Sequence, residues 1–446
     1  MKLHRTGAAA LLVMSMGTAP ATGRGDAASA ATSAPSTASS TAPSTRPATT
    51  TGRTDGAIAA AQARLAQSPQ DTSAKKALAR AMLQKVRESA DPAYYAQADK
   101  ILETLGGIRA TDPEVLLLEG TLLLARHQFI EALDVGKRAA AALPSNPTAQ
   151  GILVDAYNEL GRYTEALTAT QRMLDLRPDL AALSRASYAR ELRGDLPGAI
   201  EVMQQAVVAG QGSGENVAYV QTLLANLLLT LGDVTQASAV LADALRSFPG
   251  FAPTRAGQAA VLFARGRPAD AARLMASVVE TQPQLAYAIA QGDYYAAAGM
   301  TKQATDSYAL VDAIAALQRS NGVDIDIDLA VYRADHGLTN GLLDSTRKAL
   351  ARRPGVVGQD ALAWVLHRLG KHREASATIA KVIALGDRDP MFRFHAAAIA
   401  AAANNPAEAK AQLDVLLRGN SRVAGIPQAE LSKLASSLGK TVPPVT

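Results

Sequence analysis

Three aspartates at alternate positions are the first candidates for a metal site in this sequence. Asp324, Asp326 and Asp328 resemble the start of a calcium-binding loop, in which carboxylates alternate along the chain. The sixth position of such a loop is Leu329 instead of Gly, and the twelfth is Asp335 instead of Glu. Acidic residues also stabilise the start of a helix through the helix dipole. The sequence therefore predicts a helix start here and no metal site.

Phosphate-binding and nucleophilic motifs are incomplete as well. Gly439-Lys440-Thr441 matches the end of a phosphate-binding loop, but Leu434 stands where that loop needs Gly. His367 and His395 have no third ligand at a suitable spacing for zinc. The sequence has no Gly-x-Ser-x-Gly motif and no Cys that could act as a nucleophile or thiolate ligand. We therefore expect no enzyme and no catalytic, cofactor-binding or metal-binding residues.

The composition favours an all-α protein with a nearly balanced surface charge. Phe, Trp and Tyr make up only 4% of the residues, which suits packed helices better than a β-sandwich. The formal net charge is +5, yet no run of Lys or Arg exceeds two residues and aromatic residues are not interleaved with basic ones. The charge pattern is that of a solvated surface, so we expect no nucleic-acid partner.

The N-terminal segment has the parts of a secretory signal. A basic stretch that contains Lys2 and Arg5 precedes an apolar run at 7–17, and the small residues Ala19 and Ala21 follow. That run is about half of the ~20 residues needed to span a bilayer. We therefore predict a signal peptide at 1–21, a secreted or cell-envelope location and no transmembrane span after cleavage. An untargeted N-terminus and a signal retained as an anchor are the alternatives.

A low-complexity segment separates this signal from the rest of the chain. Residues 22–56 are almost wholly Ala, Ser, Thr, Pro and Gly, a composition that cannot bury enough apolar surface to offset the entropy of ordering. We predict a disordered linker, which is either a tether or a dispensable tail. At the other end, residues 421–446 are predicted to form a capping helix, with Leu431 and Leu438 on its apolar face, and a tail.

The segment 57–420 repeats with a spacing of 33 to 38 residues. A small or apolar residue marks the same position of ten units: Ala98, Ala132, Ala166, Ala199, Ala237, Ala271, Ala304, Leu342, Ala375 and Ala409. Five residues earlier, seven of the units have glycine: Gly161, Gly194, Gly232, Gly266, Gly299, Gly337 and Gly370. This glycine can adopt the left-handed conformation that ends a helix. Proline twelve residues after the mark, as at Pro144 and Pro178, stops the following helix.

This pattern resembles the tetratricopeptide repeat, a helix-turn-helix unit of 34 residues. The resemblance implies an all-α, right-handed solenoid of about ten helix pairs. Residues 191–195, 334–337 and 360–364 are also similar to exported bacterial tetratricopeptide proteins, a likeness that implies a fold and no assigned activity. An array of this kind acts as a binding scaffold, because its first helices line a long concave groove.

The register of the repeat places a set of residues in that groove. The predicted partner-binding residues are Asp155, Asn158, Tyr188, Glu191, Asn226, Asp293 and Trp364, with His367 and Phe394 beside the last of them. Their acidic and aromatic character predicts a protein partner, or an extended peptide with basic and apolar features. The chaperone-tail clamp of some family members is not matched, because Thr222 stands at its Lys position.

Other readings of the groove stay open at this point. An envelope glycan is one alternative ligand, and an accessory role in an envelope assembly system is another. The polar residues of the set can also be merely solvated, and Trp364 can belong to the core.

Overall fold

The chain is built from short α-helices. The structure is a computed structural model that describes residues 50–210 and 214–444. These residues contain one short 3-10 helix, Gly107–Arg109, and no strand. The α-helices are α1 Thr50–Gln67, α2 Thr72–Ser89, α3 Ala93–Glu103, α4 Pro113–Ala125, α5 Phe129–Ala142, α6 Pro147–Glu159, α7 Tyr163–Leu176, α8 Leu180–Glu191, α9 Leu196–Ala209, α10 Gly214–Leu231, α11 Val234–Ser247, α12 Ala252–Ala264, α13 Pro268–Thr281, α14 Leu285–Ala297, α15 Thr301–Ser320, α16 Asp326–Asp335, α17 Leu342–Arg352, α18 Val356–Arg368, α19 His372–Ile383, α20 Pro390–Ala402, α21 Pro406–Leu417 and α22 Gln428–Ser437.

The helices from α2 to α21 form ten consecutive pairs. Pair 1 is α2 with α3 and pair 10 is α20 with α21, and each pair packs against the next one along the chain. The helix α1 packs against α2, and α22 contacts α20. This arrangement confirms the all-α solenoid expected from the repeat. In the described part of the chain, no helix is long and apolar enough to cross a membrane.

The start of α1 differs from the expected linker boundary. The segment 22–56 was expected to be disordered, but its last residues are helical because α1 begins at Thr50. The hydroxyl group of Thr54 donates a hydrogen bond to Glu88 over 2.7 Å, and Asp55 forms an ion pair with Lys85. These contacts fix the end of the segment on α2. The predicted signal at 1–21 and the linker as far as residue 49 lie outside the described residues.

Capping groups and glycine set where the helices begin and end. The Asp112 and Asn146 side chains accept hydrogen bonds from free backbone amides at the starts of α4 and α6, and proline follows each of them. Gly161, between α6 and α7, has φ of 71°, a left-handed conformation that a side chain disfavours. The capping sequence and the turn glycine thus produce one helix pair after another at a regular spacing.

Successive turns of the resulting superhelix, a first turn of pairs 1 to 5 and a second turn of pairs 6 to 10, touch each other. The loop between the two helices of each of pairs 1 to 5 contacts a connection five pairs further along the chain. The loop of pair 1, for example, contacts the connection that follows pair 6. We call this line of contacts the seam. Its contact points are Glu88 with Gln282, Arg126 with Asp324, Glu159 with Gly355, Gly194 with Gly386, and Thr230 with Gly419.

Because the turns touch, much of the concave side is covered by the protein itself. In α20, every residue from Pro390 to Ala400 is buried, and in α4 every residue from Leu118 to Ala125 is buried. A helix that is buried on all faces cannot offer one face to solvent. The open groove expected from the repeat is therefore restricted to a smaller interior space.

Candidate functional site

The predicted acidic groove residues are engaged with other parts of the protein. Asp155 on α6 is only 2% exposed, and its carboxylate accepts hydrogen bonds from Arg185 on α8, the shortest over 2.6 Å. The carboxylate of Asp293 accepts a hydrogen bond from the Tyr308 hydroxyl group over 2.9 Å. Burial raises the pKa of Asp293. Asp155 is therefore already paired within the protein, whereas the second oxygen of the Asp293 carboxylate is buried and has no hydrogen-bond partner among the described residues.

Trp364 lies in the core and not on a binding surface. Its side chain is 1% exposed, and its ring stacks on His395 with 4.0 Å between the ring centroids. Its indole N–H donates to Asp335 over 2.8 Å, and Phe394 is buried beside it. Burial, with His372 and Arg368 nearby, lowers the pKa of His367 to about 4. The structure therefore corrects the expectation that Trp364 is a partner anchor.

The remaining predicted residues lie apart from one another. Tyr188 and Glu191 are half-buried at the end of α8, and Tyr188 packs against the cluster that contains Trp364. Asn158 on α6 is buried. Asn226 on α10 is the member of the set that lines a cavity. The structure thus does not assemble the predicted set into one site.

The alternating aspartates pair with arginine side chains. Asp324 bonds to Arg352 over 2.5 Å, and Asp326 bonds to the same guanidinium over 3.2 Å. Asp328 bonds to Arg353 over 3.1 Å. Although burial alone would raise the pKa of Asp328, Arg353 and His127 hold it well below its ordinary value. Within the described residues, no group of His, Asp and Glu side chains is arranged to hold a metal ion.

An interior cavity of about 250 Å³, partly open to solvent, lies between the first and second turns of the superhelix. One wall comes from α10, whose Glu215, Tyr219, Thr222, Leu223 and Asn226 line it together. Their spacing of three to four residues puts them on one helix face. Other walls come from the loops of pairs 1 and 2, from the start of α14 and from the connection before α16.

The charged groups of the cavity wall are neutralised by one another. Arg87 forms an ion pair with Glu215 over 2.9 Å, and His127 lies 3.2 Å from the carboxylate of Asp328. Three tyrosines add aromatic rings: Tyr95, Tyr219 and Tyr287. Burial raises the pKa of Tyr95 to about 12 and also raises the pKa of the other two, so all three stay uncharged at neutral pH. The cavity is therefore aromatic and polar without a free charge.

Three amide side chains in the wall are free to bind a ligand: Asn226, Gln284 and Gln318. Asn226 is 9% exposed, and its side-chain amide makes no hydrogen bond to any described residue. The amide of Gln284, at the start of α14, makes none to those residues either. A buried amide without a partner is energetically costly, and it bonds readily to a ligand that both donates and accepts hydrogen bonds.

Sequence reasoning found Asn226 and missed the rest of this wall. Tyr219 and Thr222 lie seven and four residues before Asn226, so the helical period alone would have placed them on the same face. Tyr287 comes to the cavity from the second turn of the superhelix, and Tyr95 comes from pair 1, four pairs before α10. No spacing within one repeat unit predicts that approach.

A carboxyl group on α4 should make the stability of this region depend on pH. Glu119 is 3% exposed, and burial, with Asp99 and Glu103 nearby, raises its pKa to about 7. The folded protein keeps this proton until pH 7, whereas the unfolded chain loses it near pH 4.5. The group therefore favours folding most below pH 4.5, and this contribution is lost as the pH rises through 7.

We expect Glu119→Gln to stabilise the protein at pH 8 by about 2 kcal/mol and to have little effect at pH 4.5. Urea unfolding at the two pH values measures the difference. Glu114→Gln on the same helix is the control, because hydrogen bonding to Lys76 lowers the pKa of Glu114. Equal effects of Glu119→Gln at both pH values would contradict the prediction.

Two segments of the chain, residues 117–181 and 228–294, match the tetratricopeptide repeat family. The fold is an all-α tetratricopeptide-repeat solenoid. The first match runs from α4 to the start of α8, and the second runs from the end of α10 to α14. The matched segments contain Asp155 and Asp293, and the second segment begins two residues after Asn226.

Solved tetratricopeptide-like structures resemble the chain only distantly. The human IFIT1 dimer with PPP-AAAA is 15% identical with a TM-score of 0.44, over 79% of this chain and 88% of that chain. The APC/C hetero-tetramer Cut9-Hcn1 is 12% identical with a TM-score of 0.37, over 86% of this chain and 93% of that chain. No curated protein matches the sequence.

Proposed function

We propose that this protein is a non-enzymatic scaffold that binds an extended segment of a partner protein in the interior cavity. Tetratricopeptide repeats and the solenoid fold support an interaction role. The observation that carries the proposal is the Asn226 amide, which is buried, lines the cavity and has no hydrogen-bond partner among the described residues. A peptide group supplies the donor and the acceptor that such an amide needs.

The cavity favours an uncharged segment. Its charged residues are already paired with each other, so a charged side chain would have to displace an ion pair. The rings of Tyr219 and Tyr287 provide apolar faces for an aromatic or aliphatic side chain. A space of about 250 Å³ holds one or two such side chains. Of the basic and apolar features expected of the partner, this proposal keeps only the apolar ones.

We also propose that the scaffold acts outside the cell or in the cell envelope. The support is the signal-like segment at 1–21, with its basic start, apolar run and small residues. Protein recovered from the envelope or medium should begin close to residue 22, as measured by intact mass. A mass that includes Met1 in exported protein would contradict cleavage.

The amide of Asn226 should be required for partner binding. We expect Asn226→Ala to weaken, by at least tenfold, the binding of peptides selected on the intact protein from a displayed random library. Fluorescence anisotropy with labelled peptides measures the affinity. Asn158→Ala is the control, because Asn158 is also a buried asparagine on the first helix of its pair but does not line the cavity.

The same experiment separates the proposed function from its alternatives. If the selected peptides bind Asn226→Ala, Asn158→Ala and the unchanged protein equally strongly, they bind elsewhere on the protein. That result would rule out the cavity as the peptide-binding site. An envelope glycan is the remaining candidate ligand, since tyrosine rings and amides also suit a sugar. Selective glycan-array binding that Asn226→Ala removes, without any selected peptide, would favour the glycan.

A further inference from the structure

The seam is held mainly by polar contacts. The backbone amide of Asp324 donates to the carbonyl of Arg126 over 2.9 Å, and that of Gly355 donates to the carbonyl of Glu159 over 2.9 Å. The amide of Val356 donates to the hydroxyl group of Tyr163 across the seam, over 2.7 Å. Such contacts exchange readily with water, so their net contribution to closure is modest.

A cluster of charged residues closes the seam beside the interior cavity. Arg353 is 6% exposed and donates to Glu159, in the first turn of the superhelix, over 2.5 Å. It also donates to Asp328 over 3.1 Å. Asp328 in turn lies 3.2 Å from His127, which belongs to the first turn. Arg353 therefore links the seam directly to Asp328 and His127, two residues of the cavity wall.

The apolar cores mostly stop at the seam. Each large buried cluster is built almost entirely from consecutive helix pairs, and helices pack chiefly against their neighbours along the chain. Few apolar residues pack across to a cluster of the other turn: Leu192, Tyr163, Tyr188, Tyr95 and Ala424. An interface of this polar kind permits relative motion of the parts that it joins.

We propose that the seam is a reversible closure that controls access to the buried part of the interior cavity, where Asn226 lies. Tyr95 and His127 reach the cavity from the first turn, whereas Tyr287 and Asp328 reach it from the second. Parting of the turns separates these walls and exposes the Asn226 amide without unpacking a helix pair. This inference rests on the cavity as the binding site of the proposed function, but its test needs no partner.

The test uses a thiol as a reporter of access. Because the chain has no cysteine, Asn226→Cys places one thiol in the cavity wall. The rate at which this thiol reacts with a small maleimide, followed by intact mass, measures how often position 226 becomes exposed. Arg353→Leu opens the seam, and Arg347→Leu is its control, because Arg347 pairs with Glu374 within the second turn and not across the seam.

A second pair of variants tests the seam without changing a charge. Gly194 and Gly299 occupy the same position of their repeats, and both have positive φ, of 76° and 74°. A Cβ atom at Gly194 would overlap the carbonyl oxygen of Gly386 across the seam, whereas one at Gly299 meets nothing within 4 Å. The two alanine substitutions therefore share the same backbone strain, and only Gly194→Ala pushes the turns apart.

We expect Arg353→Leu and Gly194→Ala each to raise the maleimide rate at least tenfold, and both controls to stay within twofold of the parent. Equal rates in seam variants and controls, with unchanged helical circular dichroism, would overturn the proposal. If Arg353→Leu loses helicity, the maleimide rate of Gly194→Ala, compared with that of Gly299→Ala, decides whether the proposal holds.

A cross-link gives an independent measurement. Gln128 donates to the carbonyl of Gly322 across the seam, so Gln128→Cys with Asn321→Cys accepts a short bismaleimide. Hydrogen exchange of residues 215–226 should slow at least fivefold in the linked protein. Exchange at an unchanged rate would contradict a reversible seam. Because neither readout involves a partner, failure here leaves the proposed binding function standing, and the reverse also holds.

Discussion

Arg185→Leu is expected to lower the free energy of unfolding by about 3–5 kcal/mol, because it leaves the buried carboxylate of Asp155 without its partner. Arg185 is 1% exposed, and its guanidinium also donates to the carbonyl of Ala181 over 3.1 Å. Both members of the pair lie within one turn of the superhelix, so opening of the seam cannot relieve the unpaired charge. Urea unfolding monitored by circular dichroism measures the loss.

The control is on the same helix. Arg190 pairs with Asp195, and both side chains are about half exposed, so Arg190→Leu should change stability by less than about 1 kcal/mol. Replacement of both Asp155 and Arg185 by leucine should recover much of the loss, because no buried charge then remains unpaired. A loss with Arg185→Leu no larger than the control value would show that the pair is hydrated.

Trp364→Ala is the second large effect that we expect, with a loss of about 3–5 kcal/mol in the free energy of unfolding. The substitution removes the ring that stacks on His395 and leaves a cavity between α18 and α20. Trp364→Phe should cost less, since it keeps most of the buried volume and loses the hydrogen bond to Asp335. Unfolding midpoints of the three proteins in urea measure the order.

The Trp364 prediction separates a core role from a partner-binding role. A neutral Trp364→Ala substitution that weakens peptide binding would return Trp364 to the binding surface proposed from the repeat register. A loss of stability with unchanged peptide affinity would keep Trp364 in the core. The affinity is measured without urea, at a temperature where the variant is folded.

Much of the fold was predictable because each repeat unit contains the residues that end its helices and pack them together. The marker alanines, such as Ala132 and Ala199, are fully buried where second helices pack on first helices. The glycine before them has the left-handed backbone that the turn requires, as Gly161 and Gly370 show. These signals are local, so the sequence is sufficient to place the helix pairs.

The covered groove was not predicted, because its contacts join residues that no repeat spacing relates. Glu159 and Arg353, for example, are 194 residues apart. One feature of the sequence nevertheless indicates that α4 is covered on all sides. The segments 116–118 and 122–124 of α4 are each three consecutive leucines, which places apolar side chains on every face of the helix. Such a helix needs cover on all sides.

The binding site was predictable only in part for the same reason. The repeat register identified Asn226 because groove positions recur in every unit. The same register also selected Asp155 and Trp364, whose surroundings depend on Arg185 and His395 in neighbouring units. The repeat register determines on which face of its helix a residue lies. The burial of that residue depends on which residues of neighbouring units pack against the same face.

The separation of 194 residues across the seam also governs the order of folding. Closing a loop of that length costs about 1.5 kcal/mol more entropy than closing a 34-residue loop between neighbouring units. Local pairs therefore form first, and long-range contacts form slowly. During synthesis the N-terminal pairs stack while their apolar first helices still lack the second turn that covers them. Until the chain as far as residue 419 has been made, part of this nascent half stays uncovered, so it is prone to aggregate and is a natural client for a chaperone.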